Sequence, residues 1–239
     1  MKTVLLLGAN SDVAKQTMMK YLDMGCFVMA ASRDLVALEN FIQQNNLAVE
    51  RLKVLYFDAE DFDGHQKYYE TLPYKPHIVV YAAGFLSQNE EALRHFSAAH
   101  RMMKVNYIGA VSILNIIAMD GANKNLEKII GLSSLSGVRG RKSNFVYGST
   151  KSAFTQYLAG LRQELSARKV VVNVMILGYI DSKINQGLDL NKNLIMRPEY
   201  VARHVVGAGS SFVQVPNWKW KIIYWILKLL PENLVSKLP

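Results

Sequence analysis

Tyr147 and Lys151 stand four residues apart in Tyr147-Gly148-Ser149-Thr150-Lys151, a spacing that puts a phenol and an ammonium on one face of a helix, one turn apart. A nearby ammonium lowers a tyrosine pKa, so that the phenol can give or take a proton near neutral pH. Spacing alone does not single out this pair. Tyr179/Lys183 and Tyr224/Lys228 share it, and each of the three tyrosines has a serine thirteen residues upstream. Context separates them. Ser134 follows an apolar run at 128–132 that reads as a strand, and Tyr147 lies in the first turn of a long helical pattern, so both can face one pocket. Ser166 instead ends a helix and Ser211 begins a strand.

The elements that must position these groups alternate along the chain. Short apolar runs at 3–7, 27–31, 53–57, 78–82, 128–132, 170–177 and 211–215 read as strands. Amphipathic stretches at 12–24, 34–45, 65–72, 90–119, 144–168 and 198–208 read as helices, the last opening on Pro198, where a missing N–H costs nothing. Strands apolar on both faces, alternating with helices, predict an α/β chain with a Rossmann-type, doubly wound parallel sheet. Such sheets bind ligands at the C-terminal ends of their strands. No repeat or Gly/Ser-rich linker divides the 239 residues, so a single domain over 1–215 is expected, with 216–239 as an amphipathic tail packed on it.

The strand ends carry the remaining candidates. Gly8-Ala9-Asn10-Ser11-Asp12-Val13-Ala14 follows the first strand, where a turn into a helix aims backbone N–H groups and a helix dipole at a pyrophosphate. Only Gly8 of the three-glycine fingerprint is present, and Asp12 is expected to cap the helix. Ala31-Ser32-Arg33 ends the second strand without the carboxylate that would hold a ribose diol, and Arg33 suits a 2′-phosphate, so NADP(H) is favoured over NAD(H). Asp58 and Ala59 follow the third strand, and Ala82-Ala83-Gly84 the fourth, small or polar groups where an adenine ring would lie.

Composition bounds the partners. Residues 1–119 carry 11 Lys+Arg against 12 Asp+Glu, and residues 120–239 carry 17 against 7, so the net charge of +9 sits in the second half. An anionic partner follows: a phosphorylated substrate or a membrane surface, with nucleic acid excluded for want of any basic run or RNA-binding aromatic pattern. No spacing suggests a metal site. Cys26 is the one cysteine, and the apolar run at 4–7 is too short for a secretory signal, so a cytoplasmic protein is expected.

Taken together, Gly8–Ala14, Asp58, Tyr81-Ala82-Ala83-Gly84, Val105-Asn106, Ser133-Ser134, Tyr147–Lys151 and Leu177-Gly178 resemble the short-chain dehydrogenases/reductases over nearly the whole chain. The resemblance implies that Tyr147 is the general acid for reduction and that Ser134 hydrogen-bonds the substrate carbonyl. Lys151 would bind the nicotinamide ribose and depress the tyrosine pKa, and Asn106 would anchor a water in the proton relay. It adds Gly178 and Ile180 to the cofactor side and implies a homo-oligomer. The chain departs from the family pattern at Asp12, at Ala14 and at Leu177, which stands where a proline is usual.

Ser133 to Gly137, Arg139-Gly140-Arg141-Lys142, Asn144 to Lys151 and the terminal Lys237-Leu238-Pro239 are similar to the decaprenylphospho-β-D-erythro-pentofuranosid-2-ulose 2-reductase branch. That similarity implies a polyprenyl-phosphate-linked 2-keto-pentose as substrate and an oxidase partner in an epimerisation. Arg139, Arg141 and Lys142, beside the expected pocket, suit a phosphodiester, and equally suit a solvated loop. Reduction of a soluble or acyl-type ketone, or a silent NADP-binding scaffold, stays open. The tail at 218–230 is apolar with Lys221 and Lys228 on one side; at about 1.5 Å per residue it is too short to span a bilayer. It suits a helix lying on the inner face of the cytoplasmic membrane, a subunit interface or a flap over the active site.

Overall fold

A computed structural model describes residues 1–182 and 191–235; Lys183 and the terminal Lys237-Leu238-Pro239 lie outside them. Seven strands form one parallel sheet in the order β3-β2-β1-β4-β5-β6-β7: β1 (Thr3–Leu7), β2 (Phe27–Ser32), β3 (Leu52–Tyr56), β4 (Ile78–Tyr81), β5 (Lys128–Ser134), β6 (Val171–Leu177) and β7 (Val213–Gln214). The predicted single α/β domain is what the chain builds. Every residue of β1 is buried, because helices cover both faces of the sheet.

The order reverses between β1 and β4, which pair directly with Leu7 opposite Tyr81, so the chain leaves their C-terminal ends in opposite directions and a crevice opens there. Gly8 turns the chain out of β1 at φ +87°, and a Cβ on it would lie 2.3 Å from the Ala83 backbone nitrogen. Only a bare Cα lets the turns after β1 and β4 touch. Helix α1 (Asp12–Asp23) follows, and Ser11, not Asp12, caps it: the Ser11 hydroxyl accepts from the Ala14 N–H at 3.1 Å. The outer helices are α2 (Leu35–Gln44) and α3 (His65–Glu70).

The stretch at 90–119 is not one helix. It runs as α4 (Asn89–Arg94), α5 (Phe96–Met103), a π-turn over Lys104–Ile108 and α6 (Gly109–Met119). The π-turn carries Asn106, which is fully buried and hydrogen-bonds both backbone groups of Phe85: its Oδ1 accepts from the N–H at 2.7 Å and its Nδ2 donates to the carbonyl at 2.8 Å. A π-turn swings one residue out of the α-register, here toward the loop after β4. Among the described residues this helix run is the one long and apolar enough to cross a membrane, yet Ile113, Leu114 and Ile117 on it are fully buried in the fold.

Helix α7 (Phe145–Glu164) lies on β5, where Phe154 and Leu158 fill the space beside Gly131 that any side chain would need. After α8 (Pro198–Val206) and the two-residue β7, shorter than the run at 211–215, the chain ends in α9 (Trp218–Leu229) and α10 (Glu232–Val235). Trp220, Tyr224 and Leu227 make the buried face of α9.

A side chain at residue 8 must therefore push the turns after β1 and β4 apart. Gly8→Ala is expected to lower unfolding free energy by about 1–3 kcal/mol in urea titrations, and an unchanged midpoint would refute the tight approach.

Candidate active site

A cavity of about 850 Å³ lies along the C-terminal ends of the strands. It is bordered by Gly8, Asn10, Ser11, Asp12 and Val13 from the first turn, and by Ser32, Arg33, Asp58 and Ala59 from the next two strand ends. Ala82, Ala83, Gly84, Ser134, Arg141, Tyr147, Lys151, Gly178 and Ile180 complete it from the other half of the sheet. The residues read at separate strand ends thus share one wall-to-wall space. Asn106, Arg139 and Lys142 do not border it.

At the catalytic end, Lys151 is 5% exposed and its Nζ donates to the Leu132 carbonyl at 3.0 Å. Burial disfavours the charged ammonium and pushes its pKa down to about 8. Tyr147 faces the cavity one helical turn away, and Ser134 borders the same space, its Oγ accepting from the Ser136 N–H at 3.2 Å. Burial pushes the phenol up to about 12, and the neighbouring Ser134 hydroxyl works against that rise. The phenol therefore lies above its ordinary value and not below it as expected, because burial dominates; the Lys151 ammonium, turned to Leu132, is 5.8 Å from the tyrosine ring centre.

Ser133, the strand neighbour of Ser134, holds the lysine in place. Its hydroxyl donates to the Lys151 carbonyl at 3.1 Å and meets Thr155 Oγ1 at 2.8 Å. Thr150 does the same for the tyrosine turn: Thr150 Oγ1 donates to the Tyr147 carbonyl at 2.7 Å while accepting from Asn106 Nδ2 at 3.1 Å. Ser133 precedes Ser134 on β5 and Thr150 precedes Lys151 on α7, so neither gave a separate signal. Both polar atoms of the Asn106 side chain are engaged with protein, so it clamps the loop after β4 to α7.

The basic loop separates on inspection. Arg139 points away from the cavity, and its guanidinium donates to the carbonyls of Leu227 and Lys228 at 3.0 Å each, closing the C-terminal end of α9. Lys142 is exposed, and its carbonyl accepts from Asn89. Arg139 is therefore a structural residue and not a substrate-binding one, and the Lys142 side chain lies exposed outside the cavity. Arg141 alone enters the cavity, with its guanidinium 3.3 Å from Ser136 Oγ, a hydroxyl that Asn144 Nδ2 also reaches at 2.9 Å. Arg141 Nε and Asn144 Oδ1 are buried with no protein partner.

At the far end, Asn10 Nδ2 donates to Ser32 Oγ at 2.8 Å and to the Asp34 carbonyl at 2.5 Å, tying the first turn to the end of β2. Asn10 Oδ1 is buried without a partner. Arg33 is half exposed and only 3.5 Å from Glu60, which is also paired with Arg101 at 3.2 Å and Lys104 at 3.0 Å. Burial alone would raise the Glu60 carboxyl, but Lys104 and Arg101 together hold it below its ordinary value. Trp220 was also missed: it borders the cavity from α9, and its indole covers the bare Cα of Gly178, where a Cβ would fall 2.1 Å from the ring.

Residues 2–193 match the short chain dehydrogenase family. The chain belongs to that family. An uncharacterized oxidoreductase of Mycobacterium tuberculosis is 26% identical over 189 residues, covering 77% of this chain and 75% of the relative. One of Streptomyces coelicolor is 26% identical over 253 residues, covering 99% and 96%. Among solved structures, a short chain dehydrogenase from Burkholderia cenocepacia in complex with NADP superposes with a TM-score of 0.83 at 19% identity, covering 98% of this chain and 97% of that one. A short-chain dehydrogenase from Sphingobium yanoikuyae in complex with NADPH gives 0.79 at 17% identity, covering 100% and 97%.

The buried lysine has a thermodynamic consequence. In the folded short-chain dehydrogenase Lys151 loses its proton near pH 8, whereas the unfolded chain keeps it to about 10.4. Between these values the unfolded state binds more protons, so stability rises with pH. The stability of wild type relative to Lys151→Met is expected to climb between pH 8 and about 10.4 and to be flat below about pH 7, in urea unfolding at each pH. A difference that does not vary with pH would show that Lys151 is not held in this environment.

Proposed function

We propose that this short-chain dehydrogenase is an NADPH-dependent ketoreductase. The observation that carries the reading is that Ser134 and Tyr147 border one cavity, with Lys151 buried one turn behind and held by the Leu132 carbonyl. The opposite end fits a dinucleotide: the Gly8 turn against Ala83, the α1 N-terminus, the unpartnered Asn10 Oδ1 and the half-exposed Arg33 beside Ser32. The solved neighbours carrying NADP and NADPH support the same choice.

When bound, NADPH would supply the hydride for the carbonyl carbon. Ser134 donates to the carbonyl oxygen and fixes its direction, and Tyr147 gives that oxygen its proton as negative charge develops there. Lys151, when protonated, stabilises the phenolate left behind, a role the low local dielectric strengthens. Arg33, held only by a weak 3.5 Å contact with Glu60, would be free to meet a 2′-phosphate at little cost.

The substrate in this reading is a 2-keto-pentose on a polyprenyl phosphate, presented at the cytoplasmic membrane surface and supplied by an oxidase partner that makes the ketone. Arg141 supports it: a guanidinium beside the catalytic serine and tyrosine, with its Nε lacking a protein partner, suits a phosphoryl oxygen. A homo-oligomer, implied by the family resemblance, would cover the exposed Phe96, Ile108 and Phe145. A second reading, reduction of an acyl-type ketone, is favoured by 23% identity over 214 residues to a 3-oxoacyl-[acyl-carrier-protein] reductase of Aggregatibacter actinomycetemcomitans.

Purified protein is expected to oxidise NADPH with a polyprenyl-phosphoryl 2-keto-pentose in detergent, and Tyr147→Phe to cut the rate by about 10²–10⁴-fold. Turnover of an acetoacetyl thioester but not of the keto-sugar would favour the second reading, and a Tyr147→Phe variant as fast as wild type would defeat both. Arg33→Ala is expected to raise the KM for NADPH by about tenfold or more while leaving that for NADH little changed. Equal changes for both would remove Arg33 from coenzyme selection.

A further inference from the structure

Helix α9 has two apolar faces, and the fold uses only one of them. Trp220, Tyr224 and Leu227 are buried, while Trp218, Ile222, Trp225, Ile226 and Leu229 are between 48% and 76% exposed. At about 100° per residue the exposed five fall within an arc of about 100° on the side opposite the buried three. Lysines border that arc on both sides: Lys221 and Lys228 along one edge, Lys219 along the other. A shallow apolar groove runs along it, ending at Leu230 and Pro231. Solvent-exposed aromatic and aliphatic groups in one contiguous strip, two of them tryptophans, are costly to leave in water and mark an interaction surface.

The geometry points to an anionic lipid surface as the occupant, with α9 lying in the plane of the interface. Twelve residues give a helix about 18 Å long, well short of the roughly 30 Å hydrocarbon core, so α9 can lie in the bilayer surface but not cross it. Tryptophans on the apolar arc and lysines at its edges are the composition that places side chains at the headgroup boundary. Charge decides against a second copy of this chain. A two-fold contact through this arc would bring Lys221 and Lys228 of one protomer toward their own counterparts, and Glu232 is the one acidic residue in 218–235. Anionic headgroups complement the same lysines.

The buried face of α9 meets the cavity through one residue. Trp220 borders it, stands edge-on to Tyr179 at 5.1 Å between ring centres, and donates from Nε1 to the Leu194 carbonyl at 2.8 Å. Arg139, from the loop that joins Ser134 to Tyr147, closes the last turn of α9. One helix therefore presents an apolar face outward and walls the reaction space inward, so docking sets the cavity close to the lipid surface. This inference does not rest on the identity of the ketone.

The test is co-sedimentation of the full chain with vesicles of phosphatidylglycerol and phosphatidylcholine, and with phosphatidylcholine alone. Wild type is expected to pellet with the anionic vesicles, to release as salt rises and to bind the neutral ones at least tenfold more weakly. Ile222→Glu/Ile226→Glu is expected to lose vesicle binding by tenfold or more while keeping its melting temperature and its NADPH affinity, since neither residue borders the cavity. Brominated lipid should quench wild-type tryptophan fluorescence, a readout that does not depend on how the variant folds. Absence of pelleting with anionic vesicles, or unchanged binding by the double variant, would overturn the proposal. So would a wild-type dimer by sedimentation velocity that ignores vesicles and becomes a monomer in the double variant. NADPH oxidation is scored separately, so an inactive enzyme that binds vesicles would count against the reductase reading alone.

Discussion

An ammonium group 5% exposed needs a fixed acceptor, and Lys151 finds it in the carbonyl of Leu132 near the end of β5. That requirement sets how closely α7 must approach the sheet. Gly131 leaves room for Phe154 and Leu158, and Gly137 and Gly148 let the loop after β5 touch the backbone of α7 directly, where a Cβ would fall 2.7 Å and 2.5 Å from backbone atoms. Ser133 and Thr155 bind the Lys151 carbonyl from the same side. Once α7 is fixed on β5, Ser134 at the strand end and Tyr147 in the first turn have no other place to point than the cavity. The proton chemistry is a consequence of packing the helix onto the strand.

A second set of bonds closes the site from the side of the β4 loop. Asn106, carried inward by the π-turn, holds Phe85 through two backbone hydrogen bonds and reaches Thr150 on α7. Three segments distant in sequence thereby keep one spacing: the loop after β4, the α5–α6 run and the catalytic turn of α7. Breaking a buried amide network of this kind leaves several polar groups without partners, so its rigidity comes at high stakes for stability.

Most of the architecture was legible because the strands are short apolar runs bounded by turns, and their alternation with helices allows few topologies. The strand-end candidates converged on one cavity for the same reason: a parallel sheet gathers the ends of its strands. The failures have specific physical sources. The 90–119 run reads as one helix because a π-turn keeps helical composition while shifting register. The roles of Arg139, Arg141 and Lys142 depend on how one loop folds across α9, which residue type and spacing do not encode. The Tyr147 phenol lies above its ordinary value because burial, which spacing along a helix does not encode, moves both it and Lys151. The inward role of Trp220 was hidden in a tail that is apolar almost all round.

Control by Tyr147 of hydride transfer from NADPH to a ketone carbon is best tested by deuterium transfer: wild type and Tyr147→Phe are incubated with NADPH carrying deuterium at the reactive carbon and a phosphoryl-linked 2-keto-pentose, and the alcohol is analysed by mass spectrometry. One deuterium at the former carbonyl carbon is expected with wild type and almost none with the variant. Unlabelled alcohol from wild type, or equal labelling from both proteins, would contradict it.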